Sequence, residues 1–171
     1  MRNFEFTLHF KLPPERPDPK TWLDALFETG CDDATVGVGR LGQIALDFAR
    51  DAPTARKAVA SAIADVKRAI PKGAFIAADP DLVGLADIAK LADMTRQNLQ
   101  KYATNAIKAP VVAFPPPVVL GNDAKWRLAE VEPWLQQINP GALTPEKIDV
   151  SIATAEFNIK HQSQRLQRAV S

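Results

Sequence analysis

Residues 82–135 predict two short helices joined by a tight turn, and this stretch limits the possible folds of the chain more than any other. The first helix is predicted over Leu85–Ala92 and the second over Arg96–Ala103. Leu99 and Tyr102 recur three residues apart in the second segment, which places both side chains on one helical face. We therefore expect the two helices to pack against each other through their apolar faces.

The second of these helices has a polar, basic outer face. Thr95 precedes its first residue, and the threonine hydroxyl can accept a backbone N–H of the next turn as an N-cap. On the outer face, Arg96 or Lys101 suits guanine, whereas Gln97 or Gln100 suits adenine, if the helix lies in a DNA major groove. A helix pair with an apolar interior is also a common structural unit, but the basic outer face favours DNA binding. The candidate groove contacts are Thr95, Arg96, Gln97, Gln100 and Lys101.

The segment that follows predicts a small two-stranded wing. A turn at Gly121-Asn122-Asp123 separates two short runs of extended character. Lys125 and Arg127 flank Trp126, so alternation along a strand predicts that both cations point away from a buried tryptophan. From that position both could hold DNA phosphates. The prolines at 115–117 could imitate a proline-rich ligand, although a rigid entry into the wing is the simpler interpretation.

A closing helix is predicted after the wing. Leu128, Val131, Leu135 and Ile138 recur at helical spacing. Pro133 is expected in the first turn of this helix, where a missing backbone N–H is tolerated.

The order of these elements resembles the winged helix-turn-helix of MerR- and excisionase-type proteins. Such a resemblance implies a small bacterial or phage regulator that binds double-stranded DNA, with the recognition helix in the major groove and the wing on the backbone or in the minor groove. It covers about a third of the chain. The matching pieces are L-x-x-I-A-x-L at Leu85–Leu91, T-R-Q-N-L-Q-K-Y at Thr95–Tyr102, F-P-P-P-V at Phe114–Val118 and W-R-L-A-E-V-E-P-W-L at Trp126–Leu135.

The first 78 residues predict a β-α-β-β-α-β order. Apolar and polar residues alternate over residues 3–11, as in a half-buried strand. A helix after Asp18 is expected to bury Trp22, Leu23, Leu26 and Phe27. The order is that of a ferredoxin-like sandwich, four antiparallel strands with two helices on one face, a fold that hosts many functions. The other predicted elements are strands at Ala34–Val38, Gln43–Ala49 and Ala74–Ala77 and a helix at Thr54–Ile70.

A last helix is predicted from Thr144 to about Ala169. Its apolar residues form a narrow seam of heptad spacing. The helix could pack on its own domain, but a narrow seam favours a two-stranded dimer, which helix-turn-helix regulators use to bind two half-sites. Deleting this helix would then leave the sandwich folded. The candidate dimer contacts are Ile148, Ile152, Ala155, Ile159 and Leu166.

Composition limits the partners and the environment. The chain of 171 residues has 21 basic and 20 acidic side chains, a formal net charge of +1, so non-specific coating of nucleic acid is disfavoured. Residues 82–137 carry six cations and five carboxylates, so DNA binding would depend on where the charges lie. Cys31 is the single cysteine, which fits a reducing cytoplasm. No run approaches the length of a membrane-spanning helix, and no membrane partner is expected.

Catalytic and cofactor chemistry is not indicated. His9 and His161 lack neighbours at metal-ligand spacing and are expected at the surface. The G-x-G-x-x-G at Gly37–Gly42 joins two strands of a hairpin, so it lacks the strand-to-helix context of a dinucleotide site. Asp81 and its neighbours are expected in a linker. We therefore predict neither an enzyme nor a bound cofactor or metal.

The combined hypothesis is an α+β chain with three parts. They are a ferredoxin-like domain at 1–78, a winged helix-turn-helix domain at 82–138 and a dimerising helix at 144–169. The predicted function is a sequence-specific transcriptional regulator that acts as a homodimer, most simply a repressor of its own or a neighbouring operon. Three alternatives remain: an excisionase-like protein that bends DNA, an antitoxin whose N-terminal domain or tail binds a protein, and a sensor whose N-terminal domain binds a small-molecule effector.

Overall fold

The computed structural model describes residues 1–107 and 111–171, and the chain divides into two units. Unit 1 comprises Met1–Asp79 together with Ala153–Ser171, and unit 2 comprises Pro80–Ile152. Lys108, one of the six cations counted above, lies outside the described residues. The architecture is mixed α+β, as predicted.

Unit 1 contains a four-stranded antiparallel sheet of order β2-β3-β1-β4. β1 pairs with β3 along its whole length, from Arg2 opposite Ala52 to Lys11 opposite Gln43. The predicted order β-α-β-β-α-β is confirmed. The elements are β1 (Arg2–Lys11), α1 (Leu23–Glu28), β2 (Ala34–Gly37), β3 (Gln43–Ala52), α2 (Ala55–Ala69) and β4 (Ala74–Asp79).

The alternation of β1 explains the core of unit 1. Phe4, Phe6, Leu8 and Phe10 are all buried, because successive side chains of a strand point to opposite faces. α2 begins where Thr54 accepts a hydrogen bond from the backbone N–H of Lys57, and its apolar stripe is buried. These long segments follow their sequence patterns closely.

The first helical segment is shorter than its pattern predicts. A 3-10 turn over Pro19–Trp22 precedes α1, which has only six residues. Trp22 and Leu26, four residues apart, are buried, whereas Leu23 and Phe27 are 40% and 69% exposed. The prediction that all four face inward was wrong: Trp22 and Leu26 share the buried side of the segment, whereas Leu23 and Phe27, also four residues apart, share an exposed side.

A buried arginine joins the loops of unit 1 to its helices. Arg50 on β3 donates to both carboxylate oxygens of Asp33, at 2.7 and 2.9 Å, and to Asp65 at 2.8 Å. It also donates to the Gly30 carbonyl oxygen and the Ser61 hydroxyl. Burial disfavours the charged guanidinium, but the two carboxylates outweigh burial and raise the pKa of Arg50. Asp33 therefore has a partner that its position in a turn does not reveal.

Unit 2 places the predicted helix pair where the sequence indicates. α3 (Leu85–Leu91) and α4 (Arg96–Ala103) pack around Ile88 and Leu99, which are fully buried. Thr95 caps α4 by accepting the N–H of Asn98 at 3.1 Å, as predicted.

The turn between α3 and α4 depends on one left-handed residue. Asp93 has φ +53°, and the N–H groups of Asp93 and Met94 donate to the carbonyl oxygens of Lys90 and Ala89. This is the Schellman arrangement that ends a helix sharply. It turns the chain within three residues, so α4 can begin at once.

The wing and the closing helix differ from the predictions. In the part of the chain that the structure describes, the pairing across the turn is a single bridge between Val119 and Lys125. β6 (Trp126–Arg127) pairs instead with β5 (Leu82–Val83). α5 spans Leu128–Ile138, which makes Pro133 its sixth residue and places it beyond the first turn. The missing proline N–H leaves the Ala129 carbonyl oxygen without its usual helical donor.

The last helix is not a separate part of the chain. α6 spans Pro145–Val170, and its residues from Ala153 onward belong to unit 1. Asn158 donates to the Ala78 carbonyl oxygen and accepts the Ala78 N–H, both at 2.8 Å. His161, expected at the surface, is partly buried with its ring 5.0 Å from that of Phe75, and burial lowers its pKa.

Two expected dimer contacts are used within the chain. Ala155 is 4% exposed, and Ile148 packs against the apolar core of unit 2. Heptad spacing predicts both residues as part of a dimer seam, because spacing alone does not show which side of a helix is covered by its own chain.

Candidate nucleic-acid interface

The outer face of α4 is accessible along its length. The five candidate groove contacts Thr95, Arg96, Gln97, Gln100 and Lys101 are all exposed. Helical geometry sorts the last four into two ridges of i, i+4 pairs, Arg96 with Gln100 and Gln97 with Lys101. Each ridge therefore offers one cation and one amide.

The first ridge lines a cleft together with the wing. Arg96 and Gln100 share a cleft of about 360 Å³ with Lys125, the turn residues Gly121 to Asp123, and the start of α3. Gln97, Lys101 and Thr95 do not line this cleft. The structure thus brings together three of the seven candidate DNA contacts in one concave surface.

Lys125 lies at the wing side of that cleft, where it forms an ion pair with an exposed carboxylate. Its Nζ is 3.0 Å from Oδ1 of Asp123, a side chain that is 90% exposed. A β-carbon placed on Gly84 would be 3.3 Å from the same Nζ, so the absence of a side chain at Gly84 makes room for the lysine. Because an exposed ion pair contributes only about 0–1 kcal/mol, a phosphate can replace Asp123 at little cost.

Arg127 does not lie where the strand alternation predicts. Its Nη1 is 2.6 and 2.7 Å from the two carboxylate oxygens of Asp81, whose side chain is 3% exposed. The Asp81 carbonyl oxygen also accepts the N–H of Leu128. The prediction that Arg127 points away from the core was therefore wrong, because a buried carboxylate holds it inside unit 2. Arg127 is therefore not part of the candidate interface, and Asp81 is a buried residue of unit 2 and not part of a linker.

Two polar residues of the wing were missed as site residues. Asn122 and Asp123 line the cleft, although the sequence indicated only a turn there. An asparagine amide can pair with adenine, whereas an aspartate opposes phosphates. The amide side chain at the tip of a predicted wing was the one signal that could have identified Asn122.

Beside the exposed polar residues Asn122 and Asp123, the tip of the wing also has an apolar side. Val118, Val119 and Leu120 are 46%, 43% and 82% exposed. Below them, the ring of Phe114 contacts both Trp126 and Trp134, with centroids 5.8 and 4.9 Å apart. The aromatic cluster anchors the base of the wing and leaves the aliphatic tip to solvent.

Comparisons of the chain with protein-family models, with characterised proteins and with solved structures gave no significant match. Within residues 1–107 and 111–171, no three histidine, cysteine, aspartate or glutamate side chains are grouped to hold a metal ion. In the same residues, no helix has the length and apolar character needed to cross a membrane.

Proposed function

We propose that unit 2 binds double-stranded DNA sequence-specifically, with α4 in the major groove and the wing beside it. The observation that carries this proposal is the cleft that Arg96 and Gln100 of α4 share with Lys125 of the wing. Guanidinium and amide groups pair with base edges, and an ammonium group on the neighbouring element can hold a phosphate. Gln97 and Lys101, exposed on the adjacent ridge, extend the same surface.

We further propose that unit 2 is a winged helix-turn-helix and that unit 1 is a ferredoxin-like sandwich. The sharp turn between α3 and α4, the wing turn and the closing helix α5 support the first assignment. The strand order β2-β3-β1-β4 with all neighbours antiparallel supports the second. In this proposal the protein is a bacterial or phage transcriptional regulator, most simply a dimeric repressor that binds two half-sites.

Selection of bound duplexes from a random pool, read by sequencing, tests the proposal directly. An enriched site should appear, and Arg96→Ala should weaken binding to it by about 1–3 kcal/mol while relaxing one base position. Arg40→Ala is the matched control, since Arg40 is an exposed arginine of unit 1. A folded wild-type protein that enriches no sequence would contradict the proposal.

Two substitutions that change the charge of the wing in opposite directions test whether the wing contacts DNA. Lys125→Ala should weaken binding to all sequences and lower the salt slope by about 1, as expected for one phosphate contact. Asp123→Asn should strengthen binding, because it removes the carboxylate beside the same ammonium group. If both variants keep the wild-type salt slope, the wing does not contact DNA; Lys57→Ala in unit 1 is the control for loss of a surface lysine.

The exposed wing tip favours an excisionase-like protein as the second candidate. Aliphatic side chains that enter the minor groove unstack base steps and bend the duplex, and Leu120 is 82% exposed at this position. Fluorescence energy transfer across a bound duplex should report a bend that Leu120→Ser reduces without abolishing binding. An equal bend with Leu120→Ser would exclude this role for the tip. The antitoxin and sensor alternatives gain no specific support from the described residues.

A further inference from the structure

The last helix turns its large aliphatic side chains toward solvent. On α6, Ile152, Ile159, Leu166 and Val170 are 45%, 51%, 64% and 74% exposed. Their spacing of seven, seven and four residues places them in one line along the helix. We call this line the outer stripe.

Over residues 150–158 the other side of the same helix is buried, and it combines polar residues with the apolar Val150, Ala153 and Ala155. Ser151, Thr154 and Asn158 are at most 3% exposed, and Asn158 is hydrogen-bonded to the backbone of Ala78. A surface helix normally buries its apolar face and exposes its polar one. In α6 the large aliphatic side chains from Ile152 onward are exposed instead, so the outer stripe is not what holds the helix on unit 1.

We propose that the outer stripe is a dimer interface, along which α6 of a second copy packs in parallel. A strip of heptad spacing is matched by another helix of the same spacing, and a second copy supplies one through a two-fold axis. Isoleucine at a core position of this spacing is common in parallel two-stranded coiled coils. None of the outer-stripe residues lines the cleft of unit 2, so DNA binding and dimerisation can fail independently.

The charges beside the outer stripe are compatible with this pairing. Glu156 lies on one flank and Arg165 on the other, as their positions along the helix require. In a parallel pair the glutamate flank of one copy faces the arginine flank of its partner, so like charges do not meet. Glu156 is also paired with Arg56 of its own chain, which reduces its free charge.

The size of the outer stripe predicts a weak dimer. The 19 residues from Ile152 to Val170 span 18 helical rises, or about 27 Å of helix. Four aliphatic side chains per copy bury less than the roughly 800 Å² per partner of a standard interface, so we expect dissociation in the micromolar range. Two DNA half-sites would add to this affinity through linked binding.

Sedimentation velocity of the full chain from about 1 to 200 μM tests the interface. The wild type should shift from monomer to dimer mass, and the double variant Ile159→Ser/Leu166→Ser should raise the dissociation constant at least about tenfold, since each loses burial of an aliphatic side chain. The matched control is Leu41→Ser/Val111→Ser, at positions that are 72% and 89% exposed. Thermal melting should be unchanged in both variants, because none of the four side chains is buried in its own chain.

Cysteine cross-linking tests the orientation, and the sole native thiol does not interfere because Cys31 is buried. Ile152→Cys should form a disulfide-linked dimer, since identical residues face each other in a parallel pair. A dimer that links through Ile159→Cys but not through Ile152→Cys would be antiparallel and would overturn this arrangement. A monomer at all concentrations, or a dimer unaffected by Ile159→Ser/Leu166→Ser, would overturn the interface itself.

Discussion

Arg127, which the sequence predicts to contact DNA, has a structural role instead, because it is paired with the buried Asp81. Arg127→Met should destabilise unit 2 by about 3–5 kcal/mol, because it removes the cation that is paired with the buried Asp81 carboxylate. Asp81→Leu should cost a similar amount, and the double variant should cost less than the sum of the two. Urea unfolding of the four proteins gives the coupling free energy.

The neighbouring lysine provides the control for that cycle. Lys125→Met removes a cation two residues away whose partner Asp123 is 90% exposed, so its cost should stay within about 1 kcal/mol. Equal costs for Arg127→Met and Lys125→Met would mean that the Asp81 pair contributes no more than a surface ion pair.

The free energy of unfolding of unit 1 should fall at alkaline pH because of the buried thiol of Cys31. Burial raises the pKa of this thiol from 9.0 to about 11, and the nearby Asp65 carboxylate adds to the rise. The protonated thiol is favoured in the folded state, so its contribution is complete below pH 9 and is lost as the pH rises to about 11. The free energy of unfolding should therefore fall more steeply over this window in the wild type than in Cys31→Ala.

Denaturation at a series of pH values measures this difference. The alanine variant separates the effect of the thiol from the effects of other groups that titrate in the same pH range. Native Cys31 should also react slowly with iodoacetamide at pH 8, because little thiolate is present. Parallel stability curves for the wild type and Cys31→Ala would show that the thiol titrates alike in the folded and unfolded chains.

At the scale of elements, Asn158 substitutes for a neighbouring strand. β4 is an edge strand of the sheet, and the Asn158 side chain satisfies both the N–H and the carbonyl oxygen of Ala78 on that edge. Asn158→Ala should cost about 2–4 kcal/mol, because two buried backbone groups lose their partners. It should also speed exchange of the Ala78 amide hydrogen.

Gln162→Ala is the matched control, since it removes an exposed amide one turn further along α6. Its stability and its Ala78 exchange rate should equal those of the wild type. Wild-type protection of Ala78 in Asn158→Ala would indicate that the edge is covered by other groups.

Elements governed by local rules could be predicted from the sequence. The alternation of β1 and the Thr95 cap of α4 depend on residues that are close in sequence, and the structure of both matches the predictions. The same rules identified the exposed face of α4, because an amphipathic helix buries Leu99 and leaves Arg96 and Gln100 outside.

Features that depend on distant residues could not be predicted in this way. Arg127 and Asp81 are 46 positions apart, and Asn158 and Ala78 are 80 apart. Periodicity describes which residues share a face but does not show what that face meets. For the same reason, the spacing of apolar residues predicts a seam on α6 but does not predict that Ala155 is buried within its own chain.

At the scale of the whole molecule, unit 1 is built from the two ends of the chain. The sequence predicted that a chain lacking the last helix would keep its N-terminal sandwich folded. In the structure, Ala153–Ser171 belongs to the same unit as Met1–Asp79, and Asn158 and His161 contact β4 through Ala78 and Phe75. Removing this segment takes away the groups that satisfy the edge of the sheet.

We therefore expect a chain ending at Ile152 to lose stability in unit 1 alone. Hydrogen exchange should accelerate in β4 and β1 by more than in Asn158→Ala, whereas α3 and α5 of unit 2, which ends at Ile152, should keep their protection as an internal control. A chain ending at Gln162 retains Asn158 and His161 but lacks Leu166 and Val170 of the outer stripe. It should stay as stable as the full chain while its dimer weakens. If the chain ending at Ile152 protects β4 as well as the full chain does, α6 is not an integral part of unit 1.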